Sequence, residues 1–430
     1  MERLTSLFGM LIILAMAWIF SEARKAIIWK SVLGALVLEL LLGALVFMFP
    51  QSTSFFLLVN RGVVKLLSLA GNGAIFLFGA LALQPGETGP NGESPLGFFM
   101  AFQVLPAVIF FSALMALLYH LGAMQPMIRI FAKVFRRFMR LSGAEALCTS
   151  SNIFVGIEAV FSVRPYLKDL TRSEFFTILT ACMATVASTT LAIYVSFLHE
   201  ILPTIAGHLI SASILAIPAS VLISKMMIPE LERPRTMDLL PTEDGKAHTH
   251  FMGAVSEGAW EGLKLAAGIT ALLIAVLGLV GILDAGISRI AAFCVKGLDL
   301  SLTQILGWLM IPFAWCLGIP AHDLFPAAKL LGERLVLTEV VAYRDLAAFA
   351  ASGAIRELRS VVILSYALCG FTHVASVAIF VGGISALVPS RRDEIAGLGL
   401  KALLAAFWVT LFIGCIAGLF YTQSPSILLS

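Results

Sequence analysis

The chain has 430 residues, of which 59% are hydrophobic and 13% charged, with a net charge of +3 and a mean hydropathy of +0.97. Soluble domains carry roughly 25% charged and about 45–50% apolar residues, so composition excludes a soluble fold and makes the lipid bilayer the principal partner. No basic tail marks a nucleic-acid partner, and the apolar runs lack the period-2 alternation of an outer-membrane barrel.

In chain order, Leu4–Phe20 is a first span, with Glu2 and Arg3 ahead of it and no small-x-small cleavage site, so it reads as a retained helix. Ser31–Pro50 is a second, holding Glu39 mid-span; a structural role is expected there, protonated and bonded to a neighbouring helix. Phe55–Leu83 begins with Arg61 and Lys65, which predicts an interfacial helix leading into a buried stretch. Its Gly71, Gly73 and Gly79 are expected at close helix contacts. A polar loop, 84–97, precedes the span Phe98–Leu121. In Gln125–Arg140, Arg129, Lys133, Arg136, Arg137 and Arg140 segregate from apolar residues at helical spacing, which predicts a helix on the membrane surface. Ser142–Pro165 is too short and glycine-punctuated for a full span and fits a re-entrant hairpin. Glu174–Leu198, Ile201–Ile228 and Glu261–Leu283 span, with a hydrophilic linker between the last two. Gly307–Leu331 is broken by Pro312, Pro320 and Pro326, and Arg359–Val388 and Ile395–Tyr421 close the chain.

Two broken segments each place a carboxylate at membrane depth, Glu158 and Glu339. An intramembrane carboxylate costs several kcal/mol unless it faces a partner or a wet cavity, so it is read as functional. Each segment is followed by a small, polar patch, Ala184–Thr190 and Gly370–Ser376, where unwinding would aim half-helix ends and free carbonyls at a ligand. The expected fold class is therefore an all-α polytopic membrane protein with inverted structural repeats, two re-entrant hairpins and broken helices. Residues 1–121 and 261–300 are expected to form a scaffold. Residues 122–228 and 301–430 form the repeats of a transport domain, and 229–260 a hydrophilic linker. Lys and Arg asymmetry puts 24–30, 129–140, 164–172, 225–235 and Arg391-Arg392 in the cytoplasm and both termini outside. Cys148, Cys182, Cys294, Cys316, Cys369 and Cys415 lack paired spacing and read as packing residues. No His-Glu-x-x-His, Gly-x-Ser-x-Gly or paired Asp motif occurs, and His322-Asp323 lies in the broken segment, so an enzyme is not expected. An intramembrane enzyme and a non-translocating receptor are the alternatives of another class.

Five stretches resemble the concentrative nucleoside transporter family: Phe154–Gly156 through Leu167, Gly307–Pro320, Gly332 through Tyr343, Tyr366–Phe371, and Gly382 through Arg392. The resemblance covers nearly the whole chain. It implies a multi-pass, homotrimeric importer of the cytoplasmic (inner) membrane, with a moving transport domain, no cofactor, and coupling to sodium or protons. It also implies site residues. For substrate these are Ile157, Glu158, Thr190, Thr338, Glu339, Phe371, His373 and Ser376. For sodium they are Asn152, Val155, Thr185 and Val186. Relatives carry Gln and Thr/Ser where this chain has a lone Ile157, Asn where it has Thr338, and Asn where it has His373. His373 is thus a substrate contact or a proton-coupling group. The ion ligands are better kept than the base-binding edge. The implied cargo is a nucleoside, with a nucleobase, modified nucleoside or other hydroxylated metabolite as the alternative.

Overall fold

The computed structural model describes residues 2–48, 50–83, 92–237, 250–294 and 300–421, without the side chains at 50–57, 59, 157, 158, 161, 188, 189 and 292–294. Regular structure among them is helical throughout. The first group is α1 (Glu2–Ile19), α2 (Trp29–Met48), α3 (Pro50–Phe78), the single turn α4 (Met100–Gln103), α5 (Leu105–His120) and the amphipathic α6 (Met124–Met139). Then come α7 (Gly143–Val155), a 3-10 stretch (Gly156–Asp169), α8 (Arg172–Ala184), α9 (Ser188–Leu198), α10 (Ile205–Met227) and the 44-residue α11 (Phe251–Cys294). The last are α12 (Leu302–Cys316), α13 (Leu324–Val336), α14 (Glu339–Ala351), α15 (Leu358–Ala367), α16 (Val374–Leu387) and α17 (Arg392–Phe420). Seven of the described helices are long and apolar enough to cross a bilayer.

The chain repeats one motif: a hairpin, a helix broken in the middle, and a continuous helix. The first copy is α7 with its 3-10 return, α8–α9 and α10; the second is α13–α14, α15–α16 and α17. Local sequence sets the limits of both. Ser142 and Glu145 form a capping box at α7, and Thr171 and Glu174 form one at α8, so the first amides of each helix are satisfied at their own start. Ser142 Oγ also donates to Glu174 Oε1 at 2.5 Å, and Lys225 Nζ lies 2.5 Å from Glu145, which ties both helix starts to α10. Thr236 adds its carbonyl to Gly143 N (2.8 Å) and its hydroxyl to Ala144 N (3.0 Å). In the second copy Asp323 accepts from the amides of Arg356 and Glu357 and from Ser360 Oγ at 2.9, 3.1 and 2.6 Å, closing the start of α15. The His322-Asp323 pair is accordingly part of a helix cap.

Several expectations need correction. The span read from Glu261 begins ten residues earlier, at Phe251, because nothing in 251–260 breaks the helix. Gly71 and Gly73 of α3 and Gly79 just after it are not at close contacts within the described chain: a Cβ on any of them would meet no described atom within 4 Å. The stretch containing them is not buried, since Phe76 and Leu77 are 89% and 71% exposed. Close packing instead uses Gly258 and Gly262 of α11, four apart, where a Cβ would strike Ile109, Ser112, Ala113 and Ala116 of α5. Glu39 is fully buried, but neither carboxylate oxygen has a partner among the described residues. The five cysteines with described side chains are free and buried, as packing residues are; Cys294 lies outside the described side chains.

The two broken helices meet at their breaks. Gly370, at φ +109°, follows α15, and a Cβ there would stand 2.7 Å from the Ala184 carbonyl and 3.0 Å from that of Met183, at the end of α8. Both its conformation and its closeness to another backbone require glycine. Gly370→Ala is expected to destabilise the fold by on the order of 1–3 kcal/mol from backbone strain alone, with the clash added. A lower thermal midpoint of the purified protein checks it, and an unchanged midpoint would refute the close crossing.

Candidate functional site

The breaks enclose a cavity of about 420 Å³ between the two repeats and α11. Gly156, Ala187 and Thr190 line it from the first repeat, Thr338, Glu339, Phe371 and His373 from the second, and Lys264 through Leu273 from α11. Glu339 sits in the first turn of α14, where a helix N-terminus favours a carboxylate. It is 2% exposed. Tyr194 donates its hydroxyl to Glu339 Oε1 at 3.0 Å. His373 Nε2 stands 3.2 Å from Oε2, yet the buried Oε2 has no aligned hydrogen-bond donor among the described residues, so its hydrogen-bonding capacity is not used up. His373 also caps α16: its Nδ1 accepts from Ser376 N at 3.2 Å. An accepting Nδ1 puts the ring proton on Nε2, the nitrogen that faces the carboxylate.

Beneath the cavity the polar groups are braced. Tyr194 stacks on Tyr343 with centroids 4.4 Å apart, and Tyr343 donates to Ser365 O at 2.6 Å. The fully buried Arg334 donates to the Ala367 carbonyl at the end of α15 and to Thr410 Oγ1 (3.0 Å), with Phe407 under its guanidinium at 5.2 Å. A cation at the C-terminus of a half-helix complements its dipole. Arg344 pairs with Asp345 instead of Glu339.

The expected ion ligands converge at the end of α7 and the break after α8. Asn152 Nδ2 contacts Ala181 O (2.9 Å) and Thr185 Oγ1 (2.5 Å), and Thr185 Oγ1 bonds the same carbonyl at 2.9 Å. Asn152 Oδ1 is buried and has no partner among the described residues. Val155 ends α7 next to Gly156, whose φ is +65°, and the Val186 carbonyl accepts from Ser213 at 3.4 Å. These are hard oxygens, the donor type that alkali cations take.

The expected substrate residues divide. Thr190, Thr338, Glu339, Phe371 and His373 line the cavity. Ser376 does not: its hydroxyl is bound to the His373 carbonyl at 2.6 Å, because its place is the first turn of α16. The Ile157 and Glu158 side chains lie outside the described ones. Sequence reasoning missed Tyr194, although its spacing from Thr190 puts both on one helix face. It also missed Lys264, paired with Glu261 at 2.6 Å on α11.

Two interrupted helices, two hairpins and a buried carboxylate in a cavity define the architecture of a membrane transporter. The family described as Na+ dependent nucleoside transporter matches residues 8–81 by its N-terminal part and 208–418 by its C-terminal part, and the nucleoside recognition Gate family matches 101–200. The chain is 35% identical to the uncharacterized transporter YutK of Bacillus subtilis, covering 98% of this chain and 100% of that protein. It is 34% identical to the nucleoside permease NupC of Helicobacter pylori, covering 97% and 98%. The solved structure of CNTnw in an inward-facing substrate-bound state superposes with a TM-score of 0.87 at 36% identity over 98% of both chains. The chain belongs to the Na+-dependent, concentrative nucleoside transporter family.

Thr338, between α13 and α14, has φ +141° and ψ 164°, a region essentially reserved for glycine, and its hydroxyl is buried without a partner among the described residues. Thr338→Gly is expected to stabilise the protein by roughly 1 kcal/mol, the relieved strain exceeding the entropic cost of glycine. Thermal unfolding in detergent measures this; a lower midpoint would contradict it.

Proposed function

We propose that this protein is an ion-coupled, secondary-active importer of nucleosides, working by elevator-type alternating access. The observation that carries the reading is Glu339, a buried carboxylate at the cavity wall with one oxygen held by Tyr194 and the other without an aligned donor among the described residues. Such a group takes ribose hydroxyls by charge-assisted hydrogen bonds, worth about 1.5–3 kcal/mol each. Phe371 offers a ring at the cavity wall and Thr338 a hydroxyl. Ile157 and Glu158 are assigned to the nucleobase side on the family resemblance.

Sodium is the favoured coupling ion. Asn152 and Thr185 with the Val155 and Val186 carbonyls supply the oxygens, at the start of the unwound segment that leads into α9. Binding there orders the backbone that presents Thr190 and Tyr194, so ion and substrate affinities rise together by the same factor. Proton coupling through His373 is the second reading. It is disfavoured because protonating Nδ1 would break the α16 cap.

The repeats, 122–228 and 301–430, are assigned to the moving domain, and 1–121 with α11 to a scaffold that carries them as a homotrimer. The inward-facing, intermediate and outward-facing structures of CNTnw superpose on this chain with TM-scores of 0.86 to 0.89, which supports alternating access. We place the protein in the inner membrane with both termini outside.

The deciding experiment is tracer uptake of uridine and adenosine into proteoliposomes, first with an inward sodium gradient and then with an equal proton gradient. Sodium-driven accumulation is expected. No uptake of either by folded protein would reject nucleosides as cargo and turn the search to nucleobases or other hydroxylated metabolites; binding without counterflow would mean a receptor. Glu339→Gln is expected to weaken ribose-bearing ligands by about 1–3 kcal/mol, read as the dissociation constant. Tyr194→Phe, which leaves a buried carboxylate oxygen without its donor, is expected to cost a similar amount. Unchanged affinity in both would remove Glu339 from the site.

A further inference from the structure

The helix α6 (Met124–Met139) has three faces, each about a third of its circumference. One is buried against the protein by Ile128, Ala132, Phe135 and Met139, all at 0–1% exposure. A second is apolar and uncovered: Met127, Ile130, Val134 and Phe138 are 37–62% exposed. The third carries Arg129, Lys133 and Arg137, all exposed, and continues to Arg140 after the helix end. Residues 122–141 contain five cations and no acid. Arg136 donates to Met237 O at 2.8 Å, but Arg129, Lys133 and Arg137 have no partner among the described residues.

An apolar face beside a cationic face, with the third face fixed to the protein, matches the boundary between acyl chains and anionic headgroups. We propose that α6 is a docking surface for anionic phospholipid, its apolar face in the acyl region and Arg129, Lys133 and Arg137 on the headgroup phosphates. The same surface extends onto α2. Gly34 of α2 packs directly against the Phe138 carbonyl, with no room for a Cβ. That brings the first turn of α2 beside the end of α6, with Trp29 52% exposed and Lys30 exposed. Tryptophan and lysine side by side are typical of the membrane–water interface. The neighbouring cavity of about 330 Å³ beyond Arg140 is less suited to a headgroup, since Glu145, Glu230 and Glu232 line it beside Arg140, Lys225 and Arg233, and Lys225 is already paired with Glu145 and Glu230.

Because α6 packs directly on α7, the first helix of the hairpin, lipid bound on α6 bears on the part of the protein that holds the ion ligand Asn152. The surface does not depend on which solute is carried. Binding is therefore read without transport: the full-length protein in detergent is titrated with phosphatidylglycerol or phosphatidylcholine, and its thermal midpoint is followed. Phosphatidylglycerol is expected to raise the midpoint and phosphatidylcholine to leave it, with the difference shrinking at high salt. In Arg129→Gln, Lys133→Gln and Arg137→Gln, singly and combined, apparent affinity for phosphatidylglycerol should fall roughly fivefold per removed cation. Arg129→Lys with Arg137→Lys should retain it. These side chains are exposed, so the variants fold. Inorganic phosphate in place of lipid should have no effect. Equal stabilisation by the two lipids, an equal effect of free phosphate, or full lipid preference in the triple Gln variant would overturn the proposal. So would a triple variant that changes the oligomeric mass in neutral nanodiscs, which would make this face a contact between copies of the chain.

Discussion

The whole arrangement depends on two interrupted helices touching backbone to backbone. Where Gly370 meets the carbonyls of Met183 and Ala184, no side chain separates the breaks. Non-helical backbone at membrane depth is tolerated only where protein or a wet cavity surrounds it. Placing both interruptions together meets that condition once for both. It also gathers four half-helix ends, which carry opposite partial charges at their N- and C-termini. The N-terminus of α16 and the C-terminus of α15 then need side chains of their own, and they have them in His373 and Arg334.

The polar groups of the site are held from both repeats. Glu339 belongs to the second hairpin, but its Oε1 is held by Tyr194 of the first repeat, and Tyr194 lies flat on Tyr343 of the second. A carboxylate fixed in this way cannot follow one repeat independently of the other. That constraint fits the proposed assignment of both repeats to one moving domain. His373 serves twice, as cap and as neighbour of the carboxylate, so its ring orientation is set by backbone and not by ligand. Ser376 shows the same economy in reverse: it supports the cap and is absent from the cavity wall.

Much of this was legible in the sequence, and for identifiable reasons. The hairpins and breaks show because acids, glycines and prolines at membrane depth are costly and stand out against Leu and Val. Glu339 was found that way, whereas Thr338 and the Asn152–Thr185 pair came only from the family resemblance. The α3 glycines were misread because a glycine marks a possible close approach, and only the partner's position shows whether one occurs; Gly258 and Gly262 have α5 opposite them, whereas Gly71 and Gly73 have no described atom of this chain opposite them. The start of α11 was missed because polar residues such as Ser256 and Glu257 read as a loop by hydropathy, while helix formation depends on continuity of backbone bonding. Tyr194 was invisible for a different reason. An aromatic residue inside an apolar span reads as core, and its role is defined by a hydroxyl bond to a residue 145 positions away.

The departures from the family pattern fall unevenly, and physics accounts for the unevenness. Two of the four expected cation ligands are backbone carbonyls, Val155 and Val186, whose position is fixed by helix ends and not by side-chain identity. The other two, Asn152 and Thr185, also hold Ala181 O, so replacing them would loosen the α7–α8 contact as well as the ion site. Their retention is therefore doubly constrained. Of the proposed substrate positions 338 and 373, the described contacts give a structural duty only to His373, as the cap of α16, which Asn would provide equally well. On the proposed assignments, drift at the substrate edge with a constant ion site is what such a division of labour permits: the ion ligands stay, and the set of hydrogen bonds offered to the cargo changes. A site that withdraws polar groups from one edge loses discrimination for that edge far more than it loses binding of the rest. On the proposed assignment of Glu339 to the sugar, selectivity rests on that carboxylate more than on the base.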